Sequence, residues 1–148
     1  MSSVRSYATF YSGRIYFGIS TAEVIELAKV VEITPVPLAP PAVSGLINLR
    51  GQIVTAIDMR QRLGLQPAPP SEVSVTVLIE KFGVLYGPLV DQVSDILELE
   101  QTHFEPPPSN ISQSAKELIM GLHKLPDNLL LILDTAKLVQ GISSDDPK

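Results

Sequence analysis

"GLINLRGQIVTAID", residues 45–58, is the stretch whose reading decides the fold. Two apolar runs, Leu46–Leu49 and Ile53–Ile57, flank Arg50-Gly51-Gln52. Short apolar runs on either side of a glycine-containing turn read as a β-hairpin. No turn type requires an arginine at the crest. Arg50 is therefore either an ordinary turn residue or a side chain presented to a partner.

The same stretch has a second copy. Gly45, Leu46, Leu49 and Asp58 match Gly121, Leu122, Leu125 and Asp134 at a shift of 76 with no gap. Between them Ile53, Val54 and Ile57 match Leu129, Leu130 and Leu133. Earlier in the chain a shift of 69 aligns Gly18 with Gly87, Val24 with Val93 and Glu26 with Asp95. The difference between the two shifts places a longer connector around Glu100–Asn110. Two similar β units follow, approximately 7–64 and 76–140, each too small to bury much surface alone, so the two are expected to pack together. Within this alignment Arg50-Gly51-Gln52 falls on Pro126-Asp127-Asn128, which is ordinary turn chemistry.

Outward from the hairpin, further strands are legible. Val73–Ile79 alternates apolar and polar residues, the pattern of a half-buried strand. Tyr7–Tyr11 and Arg14–Ile19 flank Ser12-Gly13, and Leu78–Glu80 and Val84–Tyr86 flank Lys81-Phe82-Gly83. Leu129–Leu133 lacks polar alternation, which predicts burial on both faces. Helical signals are short: Ala22–Leu27, Met59–Leu63 and Thr135–Val139. Prolines cluster at 35–41, 67–70 and 106–108 and read as stiff connectors. The PPP run is the pattern of a polyproline ligand, but a loop between strands accounts for it.

The chain has 148 residues, which suits one domain or two closely packed small ones. It is 45% hydrophobic, enough for a sizeable core, and only 18% charged, which is low for a soluble domain and suits a surface partly covered by partners. A net charge of −5 and a pI near 4.9 argue against nucleic acid, which needs a basic face, and against an anionic membrane surface. With no cysteine, disulfides, thiol catalysis and thiolate metal sites are excluded. The N-terminus has no apolar stretch of signal-peptide type, and no run approaches the ~20 residues of a membrane span. A soluble, unexported chain is expected. Met1 and the polar tail Ser143–Lys148 suggest that it stands alone.

Catalytic chemistry is sparse. His103 and His123 lack the close-spaced partners of a metal site. His103 is expected to be solvated, and His123, which aligns with Ile47, to be a strand residue. There is no phosphate-binding glycine loop, GxSxG or HExxH. Asp58 and Asp134 form a repeat-related pair that an aspartyl hydrolase would need, but their neighbours, Met59-Arg60 and Thr135-Ala136, are not the Thr-Gly of that site. Each precedes a short helix and reads as an N-cap, Asp58 with Gln61 three residues on as in a capping box.

"GLINLRGQIVTAIDMRQRLGL", "GPLVDQVSDILEL" (87–99), "FGISTAEVIEL" (17–27) and "IMGLHKLPDNLLLILDTAKLV" (119–139) together resemble the CheW family of bacterial chemotaxis coupling proteins. The similarity covers nearly the whole chain in order, and the NLRG-to-Asp segment is its most specific part. The resemblance implies a mostly β fold: two small five-stranded β-barrels on a shared apolar core, with short helices, as a single domain over 1–148. It implies no catalysis, no cofactor and no metal. It implies a cytoplasmic adaptor recruited to membrane-associated arrays, joining the tips of methyl-accepting chemoreceptors to the regulatory domain of a CheA-type histidine kinase, and meeting other CheW-like domains in rings. Related readings are an adaptor for another array, such as one for twitching, or a domain of a kinase or receiver-fused coupling protein.

By motif, the resemblance places Arg50 on the receptor side, with Asn48 and Gly51 fixed to it. Val24 and Glu26, as the family's Val-x-Glu, are further receptor-side candidates. Kinase contacts fall at the barrel ends without assigned residues. Asp91 and Val93 match the family motif with no assigned role. Each candidate has a plainer counterpart: Val24 as core, Glu26 as a solvated charge, Gly51 as a turn requirement. Pro88 departs from the family pattern and predicts an edge strand or a bulge. Thr55-Ala56 departs from a more usual Pro-Val.

Overall fold

The computed structural model describes residues 3–29, 32–66, 75–140 and 142. The proline cluster at 67–70, the first two residues of the expected strand Val73–Ile79, and the tail 143–148 lie outside that range. The strands are β1 (Val4–Ser12), β2 (Ile15–Ser20), β3 (Val24–Lys29), β4 (Val43–Leu49), β5 (Gln52–Asp58), β6 (Val75–Lys81), β7 (Val84–Val90), β8 (Gln92–Glu100), β9 (Ile119–Lys124) and β10 (Leu129–Leu133). The helices are α1 (Met59–Arg62), α2 (Gln113–Leu118) and α3 (Thr135–Val139).

The fold is mostly β. One five-stranded sheet runs β8-β1-β2-β10-β9 and the other runs β3-β6-β7-β5-β4. Adding five to β1, β2 and subtracting or adding five for the rest (β8 to β3, β10 to β5, β9 to β4) turns the first order into the second. The registers agree as well. The parallel pairs Leu131↔Phe17 and Ile132↔Gly18 correspond, at shifts of 76 and 69, to Thr55↔Tyr86 and Ala56↔Gly87. Irregularities in the ladders fall at matching places: Val24/Glu26 against the β8 residues facing Ala8/Phe10, and Val43/Gly45 against the β9 residues facing Ile132/Leu133. Each sheet therefore combines a hairpin from one half of the chain with three strands from the other.

Three apolar clusters hold this together. Phe10, Phe17, Ile19, Ile57, Val77, Ile79, Tyr86 and Leu133, drawn from both sheets, form a shared core, to which the helices add Met59, Leu118 and Leu138. Inside the curl of the second sheet lie Ile47, Val54, Ala56, Leu78 and Leu89. Inside the first lie Tyr7, Tyr16, Leu130 and Ile132. Alternate residues of one strand thus serve two cores, as period-two side-chain geometry demands. Of the run Leu129–Leu133, expected to be buried on both faces, Leu130–Leu133 is buried, whereas Leu129 at the strand's start is exposed.

The barrels expected from the sequence are open: β8 does not pair with β9, nor β3 with β4. Among the described residues a single bridge stands in each gap. The chain leaving β3 returns at Thr34 to exchange two hydrogen bonds with Leu46 on the outer edge of β4 (2.9 and 2.8 Å). The chain leaving β8 does the same through Glu105 and Leu122 (both 2.9 Å). These crossings explain the repeated Gly-Leu pair. A β-carbon on Gly45 would overlap the Thr34 carbonyl oxygen, and one on Gly121 would overlap that of Glu105. Only glycine admits a backbone this close.

Three expectations are corrected. Ala22–Leu27 is not helical: Thr21–Glu23 is a single 3-10 turn and β3 follows. Apolar residues at 24, 25, 27 and 28 imitate a helical stripe because Ile25 is an extra residue in the β3–β6 ladder and breaks the alternation. Pro88 lies neither at an edge nor at a bulge. It is in the middle of β7, the central strand, beside Ile57 of β5. The β6–β7 pairing skips Gly87 and Pro88 and resumes in the same register at Thr76↔Leu89, so the proline's missing N–H interrupts the ladder without shifting it. The third is α2, absent from the expected helices. Its start is set by Ser112, whose Oγ accepts from the Ala115 amide (3.1 Å).

His123 stands inside the first sheet, at the position Ile47 holds in the second, and is only 2% exposed. Its ring lies against Tyr7 and Phe104 (centroids 5.9 and 5.5 Å apart), and its Nε2 has no hydrogen-bond partner. Burial, with His103 as a second contributor, pushes its pKa below the ordinary 6.5. The unfolded chain then binds the proton more readily than the folded one. Stability is full above the ordinary value and falls as pH drops from there toward the folded value.

Two outcomes follow. Gly45→Ala should destabilise by about 2–3 kcal/mol or more, the upper range for overpacking, read as a fall in the urea midpoint. Replacing His123 with Ile should reduce the loss of melting temperature between about pH 7.5 and about pH 5.5, where an ordinary histidine titrates.

Candidate functional site

Arg50 and Gly51 are the two central residues of the β4–β5 turn, between the paired Leu49 and Gln52. Both have positive φ, 52° and 86°. Two left-handed residues in a two-residue loop match the twist of the flanking strands, and Asn-Gly is the usual filling. Gly51 suits its place. Arg50 does not, since a residue with a β-carbon costs about 1–2 kcal/mol in this conformation. The Asn48 side chain secures the turn by accepting the Gly51 amide hydrogen at Oδ1 (2.9 Å).

From this turn the Arg50 guanidinium reaches β3 and donates to Glu26 Oε1. The pair joins the first and last strands of the sheet across its open seam. With side-chain exposures of 68% and 31%, it stays in contact with water. Such a pair contributes about 0–1 kcal/mol, no more than the left-handed backbone takes away. The fold does not account for an arginine here.

Val24 parts company with Glu26. Two residues apart on a regular strand they would share a face. The extra residue Ile25 pairs Val24 with Ile79 and Glu26 with Leu78, and those neighbours on β6 point to opposite sides. Val24 is half-buried against the shared core, whereas Glu26 lies with Arg50. Of the five receptor-side candidates, Arg50, Gly51, Asn48 and Glu26 come together and Val24 does not join them.

Asp91 and Val93 have visible structural work. Asp91 Oδ2 accepts from the Gly13 amide (2.7 Å) in the β1–β2 turn and from Arg60 Nη2 (2.5 Å) of α1. Its own amide donates to Tyr11 O (2.9 Å). One carboxylate thereby ties β1, α1 and the β7–β8 junction, and the ion pair is mostly buried, at 17% and 16% side-chain exposure. Val93 is half-buried against the shared core, as is its counterpart Val24.

Asp58 Oδ1 accepts the Gln61 amide (3.1 Å), and Asp134 Oδ1 accepts those of Ala136 and Lys137 (3.1 and 3.2 Å). Both carboxylates face the first turn of a helix. His103 is exposed at the end of the 3-10 turn Gln101–His103. Arg62, whose pKa burial lowers, donates to Lys137 O (2.8 Å) and joins α1 to the end of α3. Among the described residues no three His, Asp or Glu side chains are placed to hold a metal ion. No helix among them is long and apolar enough to cross a membrane.

The CheW-like domain family matches residues 6–143. The chain belongs to this family. Among its CheW relatives, the chemotaxis protein CheW of Klebsiella aerogenes is 30% identical over 135 residues, 91% of this chain and 81% of that one. That of Bacillus subtilis is 27% identical over 128 residues, 86% of this chain and 82% of that one. The crystal structure of the scaffolding protein TtCheW from Thermoanaerobacter tengcongensis superposes with a TM-score of 0.80 at 28% identity, over 89% of this chain and 90% of that one. The mostly β architecture expected of a CheW-like chain is the one found.

Replacing Asp91 with Ala should cost about 3 kcal/mol, the scale of breaking a largely buried ion pair by removing one partner. Chemical denaturation monitored by far-UV circular dichroism would read it.

Proposed function

We propose that this chain is a non-catalytic coupling adaptor of a chemosensory array. It joins the cytoplasmic tip of a methyl-accepting chemoreceptor to the regulatory domain of a CheA-type histidine kinase. It works in the cytoplasm at membrane-associated receptor arrays, in company with other CheW-like domains. The domain is the whole of 1–148, built of two intertwined units at approximately 7–64 and 76–140. Membership of a family of chemotaxis scaffolds supports the reading.

The observation that carries the receptor assignment is the left-handed Arg50. A bulky cation sits on a protein's surface at local conformational cost, in a turn whose sister, Leu125–Asn128, closes without a positive φ. Strain retained at an exposed turn marks a site kept for a purpose other than folding, and arginine is enriched among binding hot spots. Asn48 and Gly51 hold the turn, and Glu26 orients the guanidinium.

A related placement has its own support. The chemotaxis protein CheV3 of Helicobacter pylori is 28% identical over 88% of this chain but only 43% of its own length is covered. A similar stretch thus also occurs inside a longer chemotaxis protein, and the same Arg50 surface would serve there.

The test is a titration of the protein against a receptor-tip fragment and a kinase regulatory domain. Arg50→Glu should weaken receptor binding by about 2 kcal/mol or more, the threshold of a hot spot. Its unfolding free energy should move by only about 0.5–1 kcal/mol, since the pair it breaks is exposed. Adding Glu26→Arg should restore the cross-seam ion pair and the stability but leave receptor binding impaired. Recovery of binding in the double variant would instead assign Arg50 a purely structural part.

A further inference from the structure

We propose that Phe82 is a second anchor of the receptor-binding surface, side by side with Arg50. The inference rests on the receptor reading above and extends it to a residue that the family motifs do not mark.

Phe82 occupies the first central position of the β6–β7 turn, with φ of 53°, followed by Gly83 at 79°. It repeats the left-handed φ pair of Arg50-Gly51, 52° and 86°. It is also 81% exposed, so nothing among the described residues encloses its ring. An aromatic residue in this conformation meets the same penalty as Arg50, with no burial to offset it. Asparagine or glycine would serve the turn better.

The two turns are neighbours. β7 and β5 run parallel with Thr55 beside Tyr86, so stepping back three residues sets Gln52 level with Gly83. The β6–β7 and β4–β5 tips therefore project from the same end of one sheet. They are two strand spacings apart, about 10 Å. Ile53, 58% exposed, lies on β5 between them. Phenylalanine and arginine are both enriched at protein interfaces, and here they stand at one end of one sheet.

The other half of the molecule supplies an internal control. The residue matching Phe82 is Gly13, which also has positive φ, 60°. The residue matching Arg50 is Pro126, in a turn without left-handed residues. The same ladders thus close on small or turn-forming residues when no bulky side chain is presented. Phe82 and Arg50 are surplus to the fold at corresponding tips of a single sheet. A partner that meets Arg50 with a carboxylate would place an apolar hollow opposite Phe82.

The experiment uses the full chain with Phe82→Asn, Arg50→Glu as reference, the receptor-tip fragment, and the kinase regulatory domain. Phe82→Asn should leave the melting temperature unchanged or raise it by about 2–4 °C, the shift expected for about 1 kcal/mol of relieved strain in a chain of this size. Receptor-tip Kd should rise about tenfold or more, with the kinase-domain Kd unchanged. Receptor affinity unaltered in Phe82→Asn while Arg50→Glu still loses it would overturn the inference and leave the adaptor reading standing. Loss confined to the kinase domain would also overturn it, moving Phe82 to the other partner. Failure of wild type to bind the receptor tip would overturn both readings together. A fall in melting temperature would show Phe82 to be structural.

Discussion

Neither sheet can form from one half of the chain alone, and the rest of the structure follows from that exchange. The hairpin β1–β2 finds β8 on one side and β10 on the other, and β6–β7 finds β3 and β5. Two of these four joins are parallel, a pairing that needs a long crossover and cannot be made by a local turn. Every core therefore draws on residues far apart in sequence. Such a topology rewards closure only after distant segments have met, which slows folding. It also means that loosening either half disturbs both sheets.

The exchange leaves each sheet open at a seam, and the seams are where the molecule becomes specific. Thr34 and Glu105 bridge them from within, over glycines with no room for a side chain. At the second sheet the Arg50–Glu26 pair crosses the same kind of gap from outside. The backbone crossing is demanded by the fold and occurs twice. The first sheet also has a side-chain pair at its seam, Lys124 with Glu105 (3.4 Å), but only the Arg50 pair springs from a left-handed turn, whose conformation disfavours the residue it carries. The contrast between what is duplicated and what is singular separates architecture from recognition without any other sequence.

The hairpins were legible because their turns carry glycine and their flanks alternate. α1 and α3 were legible because Asp58 and Asp134 stand before them as helix starts. The gapless Gly-Leu match showed that the chain repeats itself, but not that the matched units trade strands: side-chain pattern records which face is buried, not which strand lies alongside. β3 imitates a helix in its sequence because one inserted residue at Ile25 shifts its alternation. Pro88 carries the sequence mark of an edge, yet a central strand tolerates it because the lost bond falls in a local gap of the ladder. Arg50 could be singled out by its oddity in a turn. Its left-handed backbone and its link to Glu26, 24 positions earlier, belong to three-dimensional closure.

The matching registers have an ancestral consequence. The residue pairs joining β2 to β10 have their counterparts, in the same register, in the ladder joining β7 to β5. A shorter polypeptide carrying one unit would find in a second copy of itself every neighbouring strand it lacks, and the two would clasp as a reciprocally swapped pair. Tandem fusion of such a pair converts a concentration-dependent assembly into a single molecule. It also frees the two copies to diverge, so that one tip can keep a glycine while its twin acquires a phenylalanine.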